Sequence, residues 1–531
     1  MHQKYLGKNH RFKRSLNRLG ELLLLILAAN VAFGQTPIKV LSSDSIEQLP
    51  KVNTTFYQST QTRPRQNDQL ALGMAISGGG SRAQYFSIGL MIGLDEMVSS
   101  KSGNSFLEEI DYWSAVSGGS LGAGYYFALK KNRVLEDFPT FLDFWKSEAR
   151  KDTLSSYIYK EAKLLSLRKL KKYEKGKDKT PLARRIDSEL LQYGKTYRDR
   201  KIERLYLRDF FVPKSASQKP QLPLFAANGS ILNNKARLPF TPQLLDHLHI
   251  SGSLIPIETF GAAEHGFNCP LAYAIASSNA FPGILPISKY KMKDSKKVIR
   301  VVDGGVVDNS GAKTLFELLH SDPLTPSQKK VVLVDCRGEF NGDPTEKNEA
   351  IKLFRLLKDA IFFTLDTRYL TLQEDLEMWA KYYDILPENS LQIGFHTLKA
   401  HLEIAKSKAS EDQVKELERV QRQILKGELD WEEVYRDFVA SFESKVNQSQ
   451  QILVLSDLSK KTIGRKNLTI SELPTNFFDD FSLAQIFQLY ELSAQVETRL
   501  KIYTFEKQIL VLAGRYAAYL KQKELKQLLR S

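Results

Sequence analysis

The sequence predicts an α/β fold over residues 68–344, with a sheet layered by helices, a basic helical insertion at about 129–212 and an all-α region at 345–531. Three observations predict it. Five compact apolar runs of strand length, Leu70–Ile76, Trp113–Val116, Leu222–Ala227, Val298–Val302 and Val331–Val334, stand between turn residues and helical patterns. Three of those runs end in glycine-rich turns. Beyond about 345 the chain is dominated by Glu, Lys, Leu, Ala and Gln, with Ile486–Leu529 the longest unbroken helical stretch and Gln451–Leu455 a single strand candidate.

Residues 1–34 read as a targeting segment outside the fold. Six basic residues and one acid precede a mostly apolar run, Leu22 to Phe33, whose twelve residues make about 18 Å of helix against a bilayer core of about 30 Å. That length suits a secretory signal peptide, and Ala32-Phe33-Gly34 places small residues for cleavage before Gln35. The long basic stretch keeps an uncleaved signal anchor open as the alternative. Export to the periplasm or the medium is therefore expected, with possible membrane association in the anchored case. Residues 35–67 are polar and read as a leader or linker.

Of the 531 residues, 42% are apolar and 26% charged, a balance that excludes a disordered chain and a membrane bundle. Cys269 and Cys336, the two cysteines, exclude a disulfide scaffold and a cysteine-rich metal cluster. The eight histidines show no H-E-x-x-H spacing, and no D-x-[DN]-x-[DN]-G calcium loop occurs, so no metal and no cofactor is expected. After residue 34, 70 basic and 60 acidic residues remain, a net charge of +10. Such a surface attracts anionic lipid headgroups or nucleic acid. No zinc finger, RNP motif or basic zipper is present, which leaves the anionic membrane surface as the expected peripheral partner and excludes nucleic acid.

Within the insertion, residues 160–204 carry sixteen Lys or Arg against seven Asp or Glu. Two readings stand for it, a membrane-surface segment and a solvated helical cap. The leucines among residues 164–170 spread around more than half a helical wheel, which favours the cap.

The chemistry is carried by the three glycine-rich turns. Met74-Ala75-Ile76 leads into Ser77-Gly78-Gly79-Gly80-Ser81-Arg82, and helical residues follow to Asp95. Successive glycines let backbone N–H groups converge on one point, and a helix start adds its positive end, so an anion is expected here. No lysine follows as a P-loop requires, and G-x-G-x-x-G spacing is absent. Next, Trp113-Ser114-Ala115-Val116 runs into Ser117-Gly118-Gly119, matching the nucleophile elbow G-x-S-x-G with Ala115 in the first glycine position. Finally, Asp303-Gly304-Gly305 closes Val298–Val302, placing an acid at a strand end.

In this chain order the three turns resemble the patatin-like phospholipase family, with its glycine-rich loop, G-x-S-x-G serine and D-G-[GA] aspartate. Ala274 to Pro282 is similar to the helix-then-Pro stretch of the same family, and the glycine loop with Arg82-Ala83 resembles that of the related cytosolic calcium-dependent phospholipases. The resemblance covers about residues 68–340. It departs from the family at Ala115, at Ser77 and in the long insertion. It implies a patatin-like three-layer fold with a mostly parallel sheet, and a phospholipase A or lysophospholipase type of ester hydrolysis. Ser117 is then the nucleophile and Asp303 its base. Gly78, Gly79, Gly80 and Gly118 form the oxyanion hole, and Arg82 faces a headgroup or secures the loop.

An ordinary Asp side chain, with pKa about 3.9, is a weak base for a serine hydroxyl, so Asp303 is expected to titrate higher. A Ser-His-Asp arrangement using His320, His396 or His401 is the local rival. Asp308 and Asn309 are expected to cap the helix that follows them. A lipid-binding protein without catalysis is the rival from another class, and within the same fold acyl transfer stays open beside hydrolysis.

Overall fold

A computed structural model describes residues 69–98, 103–148, 181–211, 222–232, 236–247, 250–253, 268–282, 285, 287–292, 297–337, 376–425, 431–448, 473, 475–494, 496, 502 and 504–530. All of them fall in one compact unit, Asn53–Glu346 with Leu372–Ser531. The signal peptide, the leader, residues 149–180 of the insertion and the Gln451–Leu455 strand lie outside the described residues.

Each of the five apolar runs builds a strand. The strands are β1 (Ala71–Ile76), β2 (Tyr112–Val116), β3 (Thr196–Tyr197), β4 (Arg200–Lys201), β5 (Leu224–Ile231), β6 (Arg237–Phe240), β7 (Ile250–Ser253), β8 (Ser288–Met292), β9 (Val298–Asp303), β10 (Lys329–Asp335) and β11 (Ser390–Gly394). Nine of the described strands form one mixed sheet in the order β11-β10-β1-β2-β5-β9-β8-β7, with β6 also on β5. From β11 to β5 all neighbours are parallel; β6, β9, β8 and β7 add antiparallel pairs. Every residue of β1 and β2 is buried. Helices cover both faces of such strands, which is why they read as unbroken apolar runs instead of alternating ones.

The principal helices are α1 (Gly80–Asp95), α2 (Ser117–Lys131), α3 (Leu271–Ser278), α4 (Ala312–His320), α5 (Phe395–Lys408), α6 (Leu483–Ala494) and α7 (Thr504–Leu520). α1 and α2 start directly from the ends of β1 and β2. The described part of the insertion holds short helices and the small β3–β4 ladder.

Among the described residues past 344 the chain is helical, except that β11 joins the sheet edge where an all-α region was expected. Its helices pack onto the sheet domain. α7 lies along α1 so closely that a Cβ on Gly89 would collide with the Val511 carbonyl, and one on Gly514 with that of Phe86. Arg515, fully buried, pairs with Glu96 at 2.8 Å and donates to the Leu473 carbonyl at 2.8 Å.

Candidate active site

The end of β2 turns into α2 at Ser117, whose φ is +48°. A non-glycine residue in the left-handed region costs about 1–2 kcal/mol, so neighbouring contacts must hold it. Three hydrogen bonds do so. The Ser117 N–H donates to Ser278 Oγ (2.9 Å), while its carbonyl accepts from Ser120 Oγ (2.6 Å) and Asn279 Nδ2 (3.0 Å). Asn279 also donates to Ser120 Oγ and to the Ile275 carbonyl, which fixes its amide at the end of α3. Glycine follows the serine for a steric reason. A Cβ on Gly118 would strike the Gly80 carbonyl oxygen, and one on Gly119 would lie 2.7 Å from that of Ser77.

Asp303 reaches Ser117 from the other side of the sheet. β9 runs antiparallel to β5, with Asp303 opposite Gly229, and Asn228 is opposite Val116. The strand thus enters from beyond the carboxyl edge and stops level with Ser117. The other two turns end parallel strands; here the acid arrives head-on. Ser117 Oγ donates to Asp303 Oδ2 at 2.7 Å, and the Gly305 N–H donates to Oδ1 at 2.8 Å. Asp303 is 3% exposed, and burial pushes its carboxyl up to about 7 against the opposing pull of those two hydrogen bonds. No histidine is among the partners of Ser117 or Asp303 in the described residues. His320 faces Asp384 and Tyr383, and His401 packs on Tyr516.

The glycine loop lies against Ser117, since a Cβ on Gly78 would sit 3.2 Å from Ser117 Cβ. Gly79 and Gly80 have φ of +151° and +59°, which glycine adopts without penalty. Gly78 differs from its two neighbours: its N–H donates to the Asn309 carbonyl at 2.9 Å and is not free for an oxyanion. The N–H groups of Gly79, Gly80 and Gly118 donate to no such carbonyl among the described residues, and two helix starts contribute their positive ends here. Arg82 is buried, and its guanidinium donates to the carbonyls of Cys336 (3.0 Å) and Val496 (2.9 Å). Of its two expected roles, these contacts fit securing the loop, not facing a headgroup.

The turn after Asp303 is organised differently from the expected cap. Asp308 Oδ1 accepts from Ser310 N, Ser310 Oγ and Gly311 N, and Gly311 stands at the start of α4. Asn309 takes no part in capping; its side chain lies between Gly78 and Gly305. Beneath the site, Asn228, Ser114, Thr314 and the Gly311 carbonyl form a fully buried network that joins β2 and β5 to α4.

Ser278 and Asn279 carry no role in the sequence reading, and Asn309 carries only that of a helix cap. A polar pair after a helix of small residues, just before Phe281-Pro282, was the only signal for the first two. Among the described residues no group of three or more His, Cys, Asp or Glu is placed to hold a metal ion, and no helix is long and apolar enough to cross a membrane. Cys269 and Cys336 are both free and buried, and burial pushes both thiols up.

Residues 74–316 match the family model of the patatin-like phospholipases. No curated protein matches the chain. Nine solved chains match, among them VipD from Legionella pneumophila, 11% identical over 84% of this chain and 90% of that one, with a TM-score of 0.23.

Proposed function

Taking residues 74–316 as a patatin-like phospholipase domain, we propose that the chain is a serine lipid acyl hydrolase that cleaves carboxylic esters of membrane lipids through a Ser117–Asp303 dyad. The observation that carries the reading is the 2.7 Å hydrogen bond from Ser117 Oγ to Asp303 Oδ2. Ser117 Oγ attacks the ester carbonyl carbon while its proton passes to Asp303 Oδ2. The carbonyl oxygen becomes an oxyanion facing the N–H groups of Gly79, Gly80 and Gly118. Collapse expels the alcohol, which takes the proton from Asp303. Water then attacks the acyl-enzyme, giving its proton to the same carboxylate; the bond to Ser117 Oγ breaks, Oγ takes that proton back from Asp303, and the fatty acid leaves.

A base near pH 7 suits this chemistry, because proton transfer is most effective when the pKa lies close to the working pH. The reading includes export through residues 1–34 and peripheral contact of a basic surface with anionic lipid.

The test is hydrolysis of phospholipid vesicles and of a short acyl ester by the full chain in EDTA, beside Ser117→Ala and Asp303→Ala. Turnover by the wild type, lowered at least about 10³-fold in both variants, is the expected result. Turnover that survives Asp303→Ala but not Ser117→Ala would overturn the dyad, and an inactive wild type would overturn the hydrolase reading.

A further inference from the structure

The oxyanion loop has one donor fewer than its three glycines suggest, because the Gly78 N–H is bonded to the Asn309 carbonyl. The same residue places its side chain beside the lost donor. A Cβ on Gly78 would collide with Asn309 Oδ1, and a Cβ on Gly305 would come within 2.7 Å of it. Two glycines from separate loops therefore leave their side-chain space to one amide. A Cβ on Gly78 would also lie 3.2 Å from Ser117 Cβ, and one on Gly305 3.2 Å from Asp303 Oδ1, so the space that the amide takes borders both members of the dyad. Asn309 is half-buried, and no hydrogen bond to its side chain is formed among the described residues. Every other amide around the elbow is committed: Asn279 donates to three oxygens, and both ends of Asn228 are bonded.

We propose that Asn309 is a further catalytic residue, whose Nδ2–H donates to the oxyanion in place of the Gly78 N–H. The inference rests on the hydrolase reading above. A half-turn about χ2 exchanges Oδ1 and Nδ2 and breaks no side-chain hydrogen bond formed among the described residues. As Ser117 Oγ adds to the carbonyl carbon and its proton moves to Asp303, the carbonyl oxygen gains the negative charge. Nδ2 then meets that charge beside the Gly79 and Gly80 N–H groups. An amide donor of this kind serves the transition state more than the ground-state ester, so it acts on kcat more than on KM.

Asn309→Ala and the equal-sized Asn309→Asp in the full chain test this, with short-ester and vesicle assays and thermal unfolding as the control for folding. The expected result is a fall of about 10²-fold in kcat with KM within about threefold, together with a comparable weakening of a trifluoromethyl ketone inhibitor that forms a tetrahedral oxyanion on serine. Asn309→Asp keeps the shape and lacks the donor, so it should lose at least as much as Asn309→Ala. An active wild type with kcat within threefold in both folded variants would overturn the proposal and leave the hydrolase standing. A rise in KM with inhibitor binding unchanged would also overturn it. An inactive wild type would overturn both readings together.

Discussion

Helix α1 meets α2 on one side and α7 on the other, and both contacts depend on glycine where backbones approach. Toward α2, a Cβ on Gly118 would strike the Gly80 carbonyl and one on Gly122 the Ser87 Oγ; toward α7, a Cβ on Gly89 would strike the Val511 carbonyl and one on Gly93 would come within 2.7 Å of Ala518 Cβ. The sites of contact differ in their free backbone groups. Gly80 and Gly118 stand in the first turns of their helices, where N–H groups have no intrahelical acceptor. Gly89, Gly93 and Gly514 lie in helix interiors, where those groups are used. Close packing at helix starts therefore leaves backbone donors without intrahelical acceptors near Ser117, whereas close packing between helix interiors only fixes where α1 stands. The C-terminal region touches the surroundings of the site through α1 and through the Val496 carbonyl that receives Arg82.

Four substitutions test this contrast. Gly118→Ala should have the largest effect: the new methyl meets backbone that cannot swing aside, so α2 retreats with Ser117. A misplacement of about 1 Å costs about 10²-fold, and we expect kcat/KM to fall 10²- to 10³-fold in ester hydrolysis. Activity within tenfold of wild type would detach that contact from the chemistry.

Gly89→Ala presses equally on the other side. Denaturant unfolding should show a loss of about 2–3 kcal/mol, with kcat changed less than tenfold well below the melting temperature. If kcat fell as far as in Gly118→Ala, the two sides would not be distinct. Glu96→Gln leaves the buried Arg515 guanidinium without its carboxylate. We expect about 2 kcal/mol of stability to be lost, less than for a fully buried pair because Glu96 is 17% exposed, and an unchanged pH–rate profile.

The smallest effect concerns pH. Asp303 titrates near 7 in the fold and near 3.8 when unfolded, so its folded pKa is raised. Stability from this group is present below about pH 4 and is lost as pH rises through 7. Asp303→Asn should therefore gain about 1–2 kcal/mol on the wild type between pH 5 and 8, while wild-type acylation rises over the same interval. A difference in stability that stays flat with pH would exclude a raised carboxyl.

The five strand-forming runs and the mainly helical C-terminal composition were legible because apolar runs and helical propensity are local properties of a chain. So were the three glycine turns, since steric freedom at Gly79, Gly80 and Gly118 is written in residue type. The sequence alone thus determined an α/β sheet, a serine after β2, an acid after β9 and a loop able to gather N–H groups. Only the tertiary structure decided that β9 approaches antiparallel to meet Ser117, because strand direction depends on pairing across more than seventy residues. It also decided that Arg82 is buried under Val496, that Ser278 and Asn279 hold the strained elbow, and that the Gly78 N–H is spent on Asn309. Each of these joins residues distant in sequence, and local pattern has no means to encode which hydrogen-bond partners folding will bring within 3 Å.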